Sequence, residues 1–305
     1  MKGTKTPFGE ARRLRYFVIM CTELLKSQSM DVDLFLDKVI ITARRLNPKL
    51  KEYVRSTGIM QSRPVAGNYL RFAGWLNFLR IEGFLIIPNG RTVFLANLET
   101  RENFFLTNEE KIGFFLSLVE IDNVIRVLSR LEMKNSIRDF IKGLKLSEHF
   151  VQSFFEWFVD LGILAPTGQS FGIFNLTNTG YHVVETAKQE TKKDNKEMSD
   201  VEIFRTYFSF LLGSAVGVDF RVDDINIWKT FQDSLEKLGK HVRSEVDPNL
   251  YSALPIVLDL QVQLIIRYHM YVSLKELIKR LKDISPIHNT VFNWDPLANA
   301  GYVKL

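Results

Sequence analysis

The chain has 305 residues, 46% hydrophobic and 25% charged, an ordinary globular composition long enough for two or three domains. No run approaches the roughly 18 consecutive apolar residues of a membrane-spanning helix, so no membrane contact is expected. A single cysteine, Cys21 in "YFVIMCTELL", excludes an intrachain disulfide; it is expected to pack as a small hydrophobe, and with no apolar leader in "MKGTKTPFGEARRLR" a reducing, cytoplasmic setting is expected.

The net charge of +5 is unevenly placed. Residues 1–100 carry 16 Lys and Arg against 8 Asp and Glu, residues 101–200 carry 12 against 15, and residues 201–305 carry 12 against 12. The whole excess lies in the first third, and such asymmetry points to a polyanion site there.

In chain order, apolar residues at helical spacing run through "LRYFVIMCTELLKS" and "DVDLFLDKVIITARRL". A third helix is predicted from about Pro64 to Glu82, containing Trp75 and stopped by Gly83. Two strands follow, Phe84 to Ile87 and Thr92 to Ala96, joined by Pro88-Asn89-Gly90-Arg91. The same order recurs about 80 residues later. There, "EEKIGFFLSLVEIDNVIRVLSRL" opens on acidic residues suited to a helix N-terminus, and "SIRDFIKGLKL" follows it. Next come a helix from Ser147 to Leu161 containing Trp157, Gly162, and strands Ile163 to Ala165 and Phe171 to Leu176.

Beyond these lies "ETAKQETKKDNKEMSD", residues 185–200, densely charged without apolar periodicity, an exposed helix end running into a linker. The C-terminal "SPIHNTVFNWDPLANAGYVKL" echoes the order with Trp294 and Gly301. Pro296 would break a helix running to Gly301, and the chain ends before a second hairpin strand. The expected fold is therefore mostly α with short β-hairpins (α+β). Its divisions are a basic domain at 1–102, a second at 103–187, a charged linker at 188–200 and a helical domain at 201–305. Either the last is not a third unit, or it is an incomplete one because the chain is a fragment, or a partner completes it.

"YLRFAGWLNFLRIEGFLIIPNGRTVFLA" and "FFEWFVDLGILAPTGQSFGIFNLTNTGYHVV" resemble winged-helix domains, in which three helices are followed by a two-stranded wing. The resemblance implies tandem winged-helix domains followed by a helical C-terminal domain, on a scaffold that serves both DNA binding and protein contact. In its DNA-binding members the last helix enters the major groove. Carried to the first unit, that places Val65, Tyr69, Phe72, Leu76 and Leu79 inward and Gly67, Asn68, Arg71, Gly74 and Trp75 outward. Arg71 suits guanine and Asn68 adenine, while Gly67 permits close backbone approach. Arg63, beside a capping Ser62, and Arg91 at the wing tip would meet phosphates, with Arg12, Arg13, Arg44 and Arg45 as further backbone contacts. In the second unit the corresponding outward face carries Glu156 and Asp160, which suits protein contact better.

Catalytic signatures are lacking: there is no phosphate loop, no dinucleotide glycine pattern and no nucleophile elbow, and the five histidines are scattered. No cofactor or metal is expected. "LRFAGWLNFLRIEGFL" also resembles, loosely, helix-to-wing segments in the recognition halves of type IIS restriction endonucleases. The expected function is non-enzymatic binding of double-stranded DNA through the first unit, with residues 103–305 making partner or self contacts. The alternatives are a protein-interaction scaffold and the recognition part of a restriction system whose catalytic domain lies elsewhere.

Overall fold

The computed structural model describes residues 11–27, 29–50, 60–96, 105–119, 122–143, 147–167, 172–190, 196–218 and 223–305. The first run of elements is α1 (Leu14–Leu25), β1 (Met30–Asp31), α2 (Val32–Leu50), α3 (Arg63–Trp75), β2 (Leu79–Glu82), β3 (Leu85–Pro88) and α4 (Gly90–Ala96). The second is α5 (Asn108–Val119), α6 (Asp122–Leu128), β4 (Lys134–Ser136), α7 (Ile137–Gly143), α8 (Glu148–Asp160), β5 (Leu164–Pro166), β6 (Ile173–Leu176) and α9 (Asn178–Glu190). After α10 (Lys196–Leu212) and β7 (Gly217–Val218) comes a third, made of α11 (Asp224–Val242), β8 (Leu250–Ser252), α12 (Ala253–Tyr268), β9 (Met270–Tyr271) and α13 (Leu274–Ile284). A 3-10 turn at Ser285–His288 leads from α13 to β10 (Val291–Asp295) and β11 (Ala300–Lys304).

Among the described residues these three runs share one pairing pattern. A strand that passes directly into the next helix pairs antiparallel with the last strand of the run, giving sheet orders β1-β3-β2, β4-β6-β5 and β8-β11-β10. The molecule is mostly helical with small sheets, as the α+β expectation has it.

The first hairpin differs from expectation in its placement. Residues 79–82, expected in the helix, form β2, which pairs with β3 across a two-residue turn at Gly83-Phe84. Asn77 stops α3 at a φ of 58°. The Leu76 amide donates to Phe72 O at 2.8 Å and the Phe78 amide to Ala73 O at 2.9 Å, closing the orphan carbonyls of the last turn. Gly162, at φ 76°, ends α8 the same way, with the Ile163 amide donating to Phe158 O at 2.8 Å. Asparagine is the common non-glycine residue in this conformation, so a glycine-based stop signal passes over it. The second hairpin falls near its expected strands, as β5 and β6; residues 168–171 at its tip lie outside the described residues.

The expected strand Thr92 to Ala96 is helix. Asn89 Oδ1 accepts from the Arg91 amide at 2.9 Å and the Thr92 amide at 3.1 Å, an N-cap that opens α4. Thr177 does the same for α9, accepting from the Gly180 amide at 2.9 Å. The C-terminal run is also corrected. Pro296 lies in the turn between β10 and β11, whose register runs from Val291 opposite Lys304 to Asp295 opposite Ala300, so a full second strand is present. The expected linker is helical at both ends, with α9 reaching Glu190 and α10 starting at Lys196; residues 191–195 lie outside the described residues.

Two apolar cores run through the fold. One joins the first two units and α10, with Phe115 stacked on Tyr207 at 4.0 Å between ring centroids. The other fills the third unit, around Trp228, Phe231, Leu277 and Phe292. Helix α12 is buried almost all round and belongs to both: Leu258, Val262 and Ile265 face the first core, and Ile256, Val257, Leu260 and Leu264 the second. Helix α4 links them likewise, through Phe94 and Leu95 on one side and Val93 on the other.

Candidate nucleic-acid interface

Helices α3 and α8 hold equivalent places in their units, and they pack on one another. Phe72 stacks on Phe150 at 5.9 Å, and Trp75 meets the same ring edge-on at 5.2 Å. Trp75, expected outward, is thus turned into the junction of the two units. The remaining outward face of α3 carries Gly67 and Asn68, half-buried, and Arg71, exposed. A side chain added at Gly67 would meet nothing within 4 Å, so the backbone there is open to a ligand. Arg71 donates to Asn68 Oδ1, which fixes the two side chains side by side.

Arg63, at the start of α3, is exposed but paired. It donates to both oxygens of the Asp37 carboxylate, Nε at 2.9 Å and Nη2 at 2.6 Å, and to Asp33 at 3.1 Å. The hydrogen bonds from Arg63 hold the Asp37 carboxyl below its usual range, so this corner of the face is neutralised by its own acids. Ser62 has the extended backbone of an N-cap, but its hydroxyl makes no capping bond. Arg44 is exposed on α2 and donates to Gln61 O at 2.9 Å, bracing the segment that enters α3, and Arg45 is exposed beside it.

The other expected phosphate contacts are corrected. Arg12 and Arg13 are 7% and 5% exposed, because the segment before α1 lies across α8. Ala11 donates to Ser153 Oγ at 3.0 Å and accepts from the Trp157 indole at 2.5 Å. Arg13 pairs with Glu156 and with Asp160, each at 3.0 Å, and Asp160 also accepts the Leu14 amide at 2.9 Å. Burial opposes the Arg13 charge, but Asp160 and Glu156 outweigh it and hold its pKa above the ordinary arginine value. Arg15 is buried against Glu110, whose other oxygen accepts the Thr107 amide at 2.9 Å in a capping box at the start of α5. The acidic face of α8 is therefore covered by Arg13 and the segment that carries it. Arg91 is displaced from the wing tip because its segment is helix; it is half-buried, with Nη1 donating to Leu76 O at 3.4 Å near the end of α3. The tip itself is Gly83 and Phe84, the latter 83% exposed, flanked by the Arg80–Glu82 pair at 3.6 Å.

Helix α13 is the counterpart of α3 in the third unit, and sequence reasoning passed over it. Leu277, Leu281 and Ile284 are buried, which leaves Lys275, Lys279 and Lys282 exposed along the opposite face. Ser273 caps its start by accepting the Glu276 amide at 3.2 Å. The signal was present in "SLKELIKRLKDI" as a capping box before an apolar period of three and four.

Among known proteins, no family model, curated protein or solved structure matches the chain. Among the described residues, no helix is long and apolar enough to cross a membrane.

Proposed function

We propose that the chain binds double-stranded DNA, as a series of winged-helix units in which α3 and α13 face the duplex and the second unit holds them in place. The observation that supports this is the repeated order helix, strand, helix, helix, hairpin, combined with which of the equivalent helices stay open. Helix α8, whose outward face is acidic, is covered by residues 11–15, whereas α3 presents Arg71, Asn68 and Gly67 and α13 presents three lysines. Arg71 and Asn68 are the base-reading pair, and Arg44, Arg45, Lys275, Lys279 and Lys282 supply phosphate contacts.

The test is binding of labelled duplex over a salt series. About six phosphate contacts imply a log-log slope near −5. Arg71→Ala is expected to weaken binding by about 1–3 kcal/mol, and Lys279→Ala to flatten the slope by about one. Arg91→Ala is expected to leave affinity unchanged. Absence of binding at low salt would overturn the reading. A second reading, a protein-interaction scaffold, is favoured by the apolar hairpin tip, where Phe84, Leu85 and Ile81 are exposed beside Leu34. Magnesium added to the same mixtures tests the restriction alternative through cleavage of the duplex.

A further inference from the structure

An open groove of about 650 Å³ runs along α11 in the third unit. Its floor follows one stripe of that helix, from Trp228 through Leu235 and Gly239 to Arg243. Fifteen residues separate its ends, about 22 Å at the helical rise. The opposite wall is Tyr251 of β8 and residues 288–290 between α13 and β10. Gly239 lies under the Tyr251 ring, where an added Cβ would sit in van der Waals contact at 3.5 Å.

Flat surfaces stand at both ends. Trp228 and His288 stack with centroids 4.3 Å apart and planes 5° from parallel. At the other end the Arg243 guanidinium lies 5.9 Å from the Tyr251 ring centre, held there by donation from Nε to Pro248 O at 2.5 Å. Lys240 is exposed beside it and is not ion-paired among the described residues. The side-chain carboxylate among the lining residues is Glu236. Trp228 is buried between His288 and Phe231, so the rings that reach the groove are exposed His288 at one end and half-buried Tyr251 at the other, the latter beside the cations Lys240 and Arg243.

We infer that this groove binds a short segment of single-stranded nucleic acid, about four nucleotides long, with bases on the aromatic faces and phosphates toward Lys240 and Arg243. Bases in a duplex are stacked on each other and cannot present their faces to the exposed His288 ring, which buried Trp228 backs from behind; an unpaired strand can. The site is separate from α3, and the inference does not depend on the duplex reading.

The experiment titrates the full chain with labelled ten-nucleotide oligo(dT) and oligo(dA), following anisotropy and tryptophan emission. Saturable binding is expected. The exposed positions are varied to spare the core: His288→Ala is expected to weaken binding about tenfold and Lys240→Glu with Arg243→Glu by more, both leaving duplex affinity intact. Arg71→Ala is expected to do the reverse, lowering duplex affinity alone. Single-strand affinity that is absent, or insensitive to the three groove changes, would overturn the inference. So would saturable, Lys240-dependent binding of poly-glutamate in place of the oligonucleotides, since it would assign the groove to an acidic peptide.

Discussion

Arg13 and Arg71 are both arginines of the basic first third, and their surroundings give them opposite roles. Arg13 is closed in with Asp160 and Glu156. Removing it would leave two carboxylates facing each other out of water, and Arg13→Ala is expected to cost about 3–5 kcal/mol, seen as a lowered urea midpoint. Arg71 stands in water and touches Asn68, so Arg71→Ala should leave that midpoint unchanged while DNA affinity falls. Cys21 gives a second test at this scale. It is fully buried, and burial pushes its thiol well above the usual range. A thiol reagent is therefore expected to leave the folded chain unlabelled at neutral pH and to label one cysteine after denaturation. The packing of Cys21 was legible from its apolar neighbours. The fate of Arg13 was not, because its partners lie about 145 residues further along and no local pattern links them.

Helix ends decide where the first hairpin falls. Asn77 carries the left-handed turn that glycine carries at 162, and the strands are shifted accordingly. Asn77→Gly is expected to hold or slightly raise stability, whereas Asn77→Ala is expected to lower it by about 1 kcal/mol, measured by chemical denaturation. The periodicity made the helices α1, α2, α5 and α8 readable, and Gly162 marked the second hairpin. In the first unit Asn77 and Asn89 carried the boundaries. Neither stands out from a polar loop residue until its φ or its capping bonds are known. The displacement of Arg91 follows from these two boundaries.

At the scale of the whole molecule, the charge asymmetry of the sequence is partly an internal matter. Arg13 and Arg15 answer Glu156, Asp160 and Glu110 of the following segment, so part of the first third's excess never reaches solvent. The units are also joined by shared apolar helices, α4 and α12, each with residues in both cores. A single thermal transition is expected, with far-ultraviolet circular dichroism and tryptophan emission changing together; two separated transitions would show that the cores melt independently.

The double membership of α12 has a consequence in time. A chain made from its N-terminus completes Val216, the preceding contributor to the first core, 42 residues before Leu258. At ribosomal rates that interval is roughly 2–8 s, during which the nascent first two units present the apolar strip that Leu258, Val262 and Ile265 will cover. A stalled ribosome in this interval would hold out a sticky intermediate, and slow codons between residues 216 and 258 should raise the yield of aggregate in a cell-free translation of the chain.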